Sequence, residues 1–154
     1  MCGFTGFLGE GDYDKDKVID EMSATIAHRG PDSDGKFVEE SVALGFRRLS
    51  IIDLEGGHQP IYSPDGRYVI VFNGEIYNYR ELKASLVALG HTFGTDSDTE
   101  VILHTYMQYG EDAASYLRGM FAFVIYDREN KSLYGARDMF GIKPFYWANI
   151  DGTY

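Results

Sequence analysis

The sequence of 154 residues has a single cysteine, Cys2, and only 14 lysine and arginine residues against 24 aspartate and glutamate residues. One cysteine cannot form a disulfide within the chain, which suits a reducing compartment. The net charge of −10 opposes binding to nucleic acids and to anionic membranes. The first basic residue, Lys15, comes too late for a secretory signal. The longest apolar run, residues 120–126, is far too short to span a membrane. We therefore expect a cytoplasmic protein that binds neither nucleic acid nor membrane.

What the chain does contain is typical of one globular domain, with 44% apolar and 25% charged residues. Two apolar runs without alternation, residues 68–72 and 120–126, indicate strands buried on both faces. Further strands are expected at residues 2–9, on either side of a turn at 39–41, and at 132–138, and helices at 15–28, 79–89, 97–110 and 111–117. This pattern favours two stacked sheets with helices outside, although periodicity alone does not exclude a doubly wound sheet.

Two helices carry specific signals. Ser97 followed by Glu100 predicts a capping box, in which the carboxylate of Glu100 would accept from the Ser97 N–H. In the helix before it, Leu82, Leu86 and Leu89 are expected to face the core, and Gly90 to end the helix.

The position of Cys2 suggests a catalytic nucleophile. If Met1 is removed, Cys2 carries a thiol and a free α-amine, so one residue supplies both nucleophile and base. Asn73-Gly74 follows a predicted strand, and its ordinary interpretation is a hairpin turn. The alternative is an oxyanion hole, in which the Asn73 amide and the Gly74 N–H donate to one oxygen.

Charged residues allow a similar pair of interpretations. Arg47 and Arg48 end a predicted strand, where they could be solvated, or where one could bind a carboxylate through two hydrogen bonds. Asp98 lies in the first turn of a helix, where the dipole favours a carboxylate, and it could also bind an ammonium group. Taken separately, the ordinary interpretations are preferable. Taken together, these groups form a complete site for an amide that bears an α-carboxylate and an α-ammonium, as glutamine does.

No metal site is expected. The four histidines show neither metal-binding spacing nor a CxxC partner. Residues 12–17 resemble the start of a calcium loop, but Lys17 and Ser23 occupy the positions that require glycine and glutamate.

Seven stretches of the sequence carry a resemblance to a known family. They are MCGFTGF, HRGPDSDG, RRLSIIDLEGGHQP, FNGEIYNYREL, TDSDTEVILHTY, LRGMFAFVIYD and ARDMFGIKPFY. In these stretches and in their order the chain resembles the glutaminase domain of the class II glutamine amidotransferases, which are N-terminal-nucleophile hydrolases. Glu75 with Tyr77, the RRLSIID stretch and the GIKPFYW end favour the branch of B-type, glutamine-hydrolysing asparagine synthetases.

The resemblance implies an α+β fold, the αββα four-layer sandwich with mainly antiparallel sheets, and a role for each matching residue. Cys2 would be the nucleophile, and Asn73 with the Gly74 N–H the oxyanion hole. Arg48 would hold the α-carboxylate of glutamine, and Glu75 and Asp98 the α-ammonium. The pocket would be lined by the backbone of Leu49, Ser50, Ile51 and Ile52.

The resemblance also implies that residues 1–154 are one glutaminase domain, truncated at its C-terminus and lacking the synthetase domain of the family. The glutaminase domain needs no cofactor, whereas ATP and Mg are expected only in the synthetase domain. The expected partners are L-glutamine and that domain, and the ammonia acceptor and a homo-oligomer are left open. Two other functions are alternatives: a degenerate glutamine-binding sensor, and an N-terminal-cysteine amidase with another amide substrate.

Overall fold

A computed structural model describes residues 2–49 and 58–154. Within these residues, seven strands form two antiparallel sheets. The first sheet contains β1 (Gly3–Leu8), β2 (Ser33–Glu39) and β3 (Val42–Arg48), in the order β1-β3-β2. The second contains β4 (Ile61–Tyr62), β5 (Tyr68–Ile76), β6 (Gly119–Asp127) and β7 (Ser132–Arg137), in sequential order.

The helices lie on the two outer faces. Helix α1 (Lys15–Thr25) packs on the first sheet, and α2 (Tyr79–Ala88) and α3 (Asp98–Tyr109) pack on the second, followed by α4 (Ala113–Tyr116). Helix α1 ends before the predicted residue 28, because residues 27–29 form a separate 3₁₀ turn. No helix in the described part of the chain is both long and apolar enough to cross a membrane.

Alternation along β5 divides the core into two layers. Val69 and Val71 pack between the sheets, in a cluster with Leu44 and other residues of the first sheet. The intervening Ile70 and Phe72 pack against α3. Burying an aliphatic side chain of this size stabilises a fold by about 1.5–3 kcal/mol, so an apolar run is favoured where both faces are covered. The predicted αββα sandwich is confirmed, and the antiparallel pairing of both sheets excludes a doubly wound sheet.

Strand β5 continues beyond its predicted end at Phe72. Asn73 lies opposite Ala122 and Gly74 opposite Phe121 in the pairing with β6. The interpretation of Asn73-Gly74 as a hairpin turn is therefore wrong, because a long partner strand holds this dipeptide in extended pairing. Strand β2 begins at Ser33, within the HRGPDSDG stretch.

The start of α3 differs in part from the predicted capping box. Ser97 is the N-cap, and its hydroxyl accepts from the Thr99 N–H at 3.1 Å. The Glu100 carboxylate, however, accepts from the N–H groups of Gly94 at 2.8 Å and Thr95 at 2.7 Å. The loop before the helix folds back over its first turn and satisfies this carboxylate, so the predicted bond from Glu100 to the cap is wrong.

One core residue of α2 was also wrongly predicted. The helix ends at Ala88, and Leu89, as its C-cap, has 56% of its surface exposed. Gly90 follows with a φ of 97°, a conformation that glycine adopts without steric cost and that ends the helix. Leu86 is buried, and Leu82 packs against the core as predicted.

Candidate functional site

Cys2 lies at the N-terminal end of β1, beside the end of β3. Its half-buried side chain packs into the cluster between the two sheets. The Leu49 N–H donates to the Cys2 Sγ at 3.5 Å, and the Leu49 carbonyl oxygen lies 3.8 Å from the same sulfur. Arg29 donates from Nε to the Cys2 carbonyl oxygen at 3.3 Å. Cys2 is therefore held at its sulfur by the backbone after β3 and at its carbonyl oxygen by a side chain of the 3₁₀ turn.

The two adjacent arginines separate onto opposite faces of the first sheet. Arg47 faces α1, where its Nε donates to the Ser23 carbonyl oxygen at 3.2 Å and its Nη1 lies 3.7 Å from the Asp34 carboxylate. Because side chains alternate along a strand, Arg48 lies on the inner face, as Cys2 does, and it is only 6% exposed. The sequence pattern could not choose between the arginines, and the sheet favours the choice that the resemblance implied.

Asn73 faces the same inner layer from the second sheet. It continues the face of Val69 and Val71 and is 6% exposed. The next residue must be glycine: Gly74 has a φ of 154°, and a Cβ there would lie 2.1 Å from the Met120 carbonyl oxygen. The predicted oxyanion pair is thus held against β6 with no room for a side chain at the second position.

Two carboxylates flank the end of β5. Glu75 is exposed, whereas Asp98, at the start of α3, is partly buried and accepts from the Ile76 N–H at 3.0 Å through Oδ2. Burial raises the pKa of Asp98 above its ordinary value, and the negative charge of Glu75 raises it further, against the lowering effect of the Ile76 and Thr99 N–H groups. A cation bound between these carboxylates would offset both the burial of Asp98 and its repulsion by Glu75.

The remaining predicted pocket residues, Ser50, Ile51 and Ile52, lie outside the described residues. Leu49 is described, and its backbone contacts the sulfur of Cys2. The described ranges bring together no group of three or more histidine, cysteine, aspartate or glutamate side chains that could hold a metal ion.

An open cavity of about 1240 Å³ lies beside this site. Its walls include Phe4, Val124, Phe145 and Trp147, and it reaches Asn73 but is lined by neither Cys2 nor Arg48. Because glutamine carries two charges at its α-carbon, these mainly apolar walls do not suit it. Apart from Asn73, the described groups that could bind glutamine therefore lie next to this cavity rather than within it.

Two residues with contacts at the site were not singled out from the sequence. Arg29 holds the Cys2 carbonyl, and Gln59 binds the backbone of Phe72, immediately before Asn73. Each lies in one of the seven matching stretches, HRGPDSDG and RRLSIIDLEGGHQP, and that is the only sequence signal that could have indicated them.

Comparison with known proteins gives this arrangement a family. A model described as "Glutamine amidotransferase domain" matches residues 1–154. The chain belongs to the glutamine amidotransferase domain family. It is 56% identical to glutamine-hydrolysing asparagine synthetase 1 of Bacillus subtilis (strain 168), with 98% of this chain and 24% of that protein aligned. It is 45% identical to glutamine-hydrolysing asparagine synthetase 2 of Oryza sativa subsp. japonica, over 99% of this chain and 26% of that protein. This amidotransferase domain thus spans about a quarter of the length of these relatives.

A solved structure confirms the fold of the domain. The glutamine phosphoribosylpyrophosphate amidotransferase of B. subtilis, complexed with ADP and GMP, superposes with a TM-score of 0.68 over 83% of this chain and 35% of that chain. The two sequences are 23% identical. The predicted resemblance to the glutamine amidotransferases is confirmed by the family match, and the fold by this superposition.

Proposed function

We propose that this domain hydrolyses glutamine to glutamate and ammonia through a thioester on Cys2. One observation carries the proposal: Cys2, immediately before β1, Arg48 at the end of β3 and Asn73 in β5 all face the layer between the two sheets. A thiol, a cation and an amide donor are the groups that acyl transfer from an amino-acid amide requires.

The reaction begins when removal of Met1 exposes the α-amine of Cys2. An α-amine and a thiol have similar proton affinities, so the amine can accept the thiol proton near neutral pH. The thiolate attacks the side-chain amide carbon of glutamine, and the Asn73 amide and Gly74 N–H donate to the oxyanion that forms. The α-ammonium of Cys2 then protonates the departing ammonia, and water hydrolyses the thioester to glutamate.

Recognition of the substrate uses the charged residues around this nucleophile. Arg48 would bind the α-carboxylate, and Glu75 and Asp98 the α-ammonium, with the backbone of residues 49–52 lining the pocket. Each charge-assisted hydrogen bond of this kind contributes about 1.5–3 kcal/mol. The raised pKa of Asp98 supports its assignment, since bound ammonium would stabilise the ionised carboxylate.

The names of the relatives suggest what becomes of the ammonia. We propose that it passes to a synthetase domain elsewhere in a longer protein, where ATP and Mg²⁺ support the amidation of aspartate. The glutaminase reaction itself needs no cofactor. The reducing conditions that preserve a thiol nucleophile favour a cytoplasmic location.

The experiment compares the protein with Met1 retained and with Cys2 exposed, each verified by intact mass, for ammonia release from glutamine. With Met1 attached, the nitrogen of Cys2 is a peptide amide and is not basic, so we expect activity only after its removal. Cys2→Ala, the control, should be inactive in both forms. Comparable rates with and without Met1 would contradict the role of the α-amine.

The same experiment tests the alternative functions. Glutamine binding by the protein with exposed Cys2, without ammonia release, would indicate a sensor. A preference for N-acyl amides over free glutamine would indicate another amidase. A site built for glutamine would reject N-acyl amides, because they leave its charged groups unpaired.

A further inference from the structure

The edge of β5 is covered by a strand along only part of its length. Strand β4 begins at Ile61, which pairs with Ile70, and Tyr62 pairs with Val69, so within the described residues no strand covers this edge of β5 beyond Ile70. In an antiparallel sheet the N–H groups of alternate residues point to the same side. The N–H groups of Phe72, Gly74 and Ile76 therefore point away from β6, to the edge of β5 that β4 does not cover.

Side chains replace the missing strand on both sides of Gly74. The Phe72 N–H donates to Gln59 Oε1 at 2.6 Å, and Gln59 Nε2 donates to the Phe72 carbonyl oxygen at 3.1 Å. The carboxamide of Gln59 thus makes the two hydrogen bonds that a neighbouring peptide would make. Two residues beyond Gly74, Asp98 accepts from the Ile76 N–H.

The Gln59 amide also contacts helix α3. Its Nε2 lies 3.4 Å from the hydroxyl oxygen of Thr99, the residue after Asp98. The carboxamide of Gln59 therefore joins Phe72, which precedes Asn73, to the first turn of α3, which carries Asp98. This contact couples the position of Asn73-Gly74 to that of Asp98.

We propose that Gln59 is a positioning residue for the oxyanion hole, an inference that rests on the proposed function. Strand β6 holds one side of β5, and Gln59 holds the Phe72 peptide on the other side, so the Gly74 N–H keeps its direction. Oxyanion stabilisation depends on donors that are already in place, and a displacement of about 1 Å can reduce a rate roughly 100-fold. Gln59 would therefore act on turnover more than on glutamine binding.

The test uses Gln59→Met in the full-length protein with Cys2 exposed. Methionine keeps the length of the side chain and removes both hydrogen bonds to Phe72. Gln108→Met is the matched control, because Gln108 is exposed and its Oε1 bonds the ring of His91 at 2.9 Å, on the far side of α3 from this edge of β5. We measure kcat and KM for glutamine, and inhibition by the γ-aldehyde of glutamate, whose adduct with the thiol has a tetrahedral carbon that bears the oxygen.

For Gln59→Met we expect kcat to fall about 10- to 100-fold while KM changes less than about threefold. Affinity for the aldehyde should fall in parallel with kcat/KM, because its adduct uses the same donors. Gln108→Met should behave as wild type. A residue that merely fills space would leave kcat and aldehyde affinity unchanged relative to the control, and that result would overturn the proposal.

Gln59→Glu supplies a second test that does not depend on Gln59→Met folding. An ionised carboxylate accepts the Phe72 N–H but repels the Phe72 carbonyl, whereas a protonated carboxyl restores one donor and one acceptor. The ratio of variant to wild-type kcat should therefore rise as pH falls, and a ratio independent of pH would overturn the proposal. If wild type with exposed Cys2 releases no ammonia, the proposed function fails and this inference with it. Active wild type with unaffected variants rejects the inference alone.

Discussion

At the scale of single residues, one oxygen of Asp98 is already engaged by the protein. Oδ2 accepts the Ile76 N–H at 3.0 Å, and the Thr99 N–H also stabilises the ionised carboxylate. Burial and the charge of Glu75 hold the pKa of Asp98 above its ordinary value of 3.8. The carboxylate therefore gains a proton at a higher pH than an exposed aspartate does.

This raised pKa predicts how glutamine recognition depends on pH. As pH falls through the pKa of Asp98, the neutral carboxyl no longer pairs with the α-ammonium, so KM for glutamine should rise. Bound ammonium favours the ionised form, so the pKa should be lower in the complex and the effect should appear in kcat/KM rather than in kcat. KM measured from about pH 4 to pH 8 checks this, with circular dichroism at each pH to show that the fold is intact.

Asp98→Asn is the control for that prediction. It should raise KM across the whole range and remove the acidic limb, because no titrating group remains at this position. An unchanged pH profile in the variant would show that another group controls binding.

Residues also differ in how far sequence alone could place them. Cys2, Arg48 and Asn73 were indicated by residue type, but only the family resemblance preferred Arg48 over Arg47. The sequence around Asn73-Gly74 could not show whether this dipeptide forms a hairpin turn or stays extended. Its extended conformation depends on pairing with β6, which lies far along the chain. Gln59 gave no local signal, because its role depends on where β4 begins opposite β5.

At the scale of elements, Asp127 joins the start of β5 to the turn after β6. The Nε and Nη2 atoms of Arg67 donate to its carboxylate at 3.1 and 2.7 Å, and the N–H groups of Glu129 at 3.0 Å and Asn130 at 3.2 Å donate to it as well. Asp127 is 4% exposed, and the Arg67 guanidinium lowers its pKa to about 2. One carboxylate thus fixes both the β5–β6 pairing and the hairpin turn.

Asp127→Asn should lower the free energy of unfolding by about 3 kcal/mol near neutral pH, because Arg67 loses its buried partner and keeps only the exposed carboxylate of Glu129. The folded-state pKa lies below the unfolded value, so this stabilisation is present above about pH 4 and is lost as pH falls through about 2. Denaturant unfolding at several pH values measures it.

Glu129→Gln is the matched control for this element. Glu129 also pairs with Arg67, at 2.7 Å, but 66% of its side chain is exposed. Exposed ion pairs contribute about 1 kcal/mol or less, so this variant should lose little stability. Equal losses in the two variants would contradict the argument from burial.

Elements with local signals were predicted well. The hairpin of β6 and β7 and helices α2 and α3 were predicted to within about two residues, because apolar periodicity and turn residues lie within each segment. The partner of Glu100 and the exposure of Leu89 were missed. Both depend on how a loop or a helix end lies against the rest of the fold, and periodicity does not carry that information.

At the scale of the whole molecule, the inner faces of the two sheets each carry a different part of the candidate site. In the proposed mechanism, the first sheet supplies the nucleophile Cys2 and the cation Arg48, and the second supplies Asn73, Gly74 and Glu75, with Asp98 from α3. Neither sheet contains all of these groups, so the proposed reaction requires the core between the sheets to be formed. The chain nevertheless spans only about a quarter of relatives such as the B. subtilis synthetase. In our proposal, the ammonia that this domain releases is used by a synthetase domain outside this chain.

This division predicts how the full-length protein uses its nitrogen sources. In our proposal Cys2 serves only to release ammonia from glutamine, and the ATP-dependent step accepts ammonia from either source. Cys2→Ala should therefore abolish asparagine formation from glutamine and leave formation from ammonium chloride close to wild type, with aspartate, ATP and Mg²⁺ present in both assays. If the variant loses both activities while its unfolding transition matches wild type, Cys2 also serves the synthetase step, and the division fails. If wild type releases ammonia from glutamine but forms no asparagine from either source, the acceptor is a carboxylate other than aspartate.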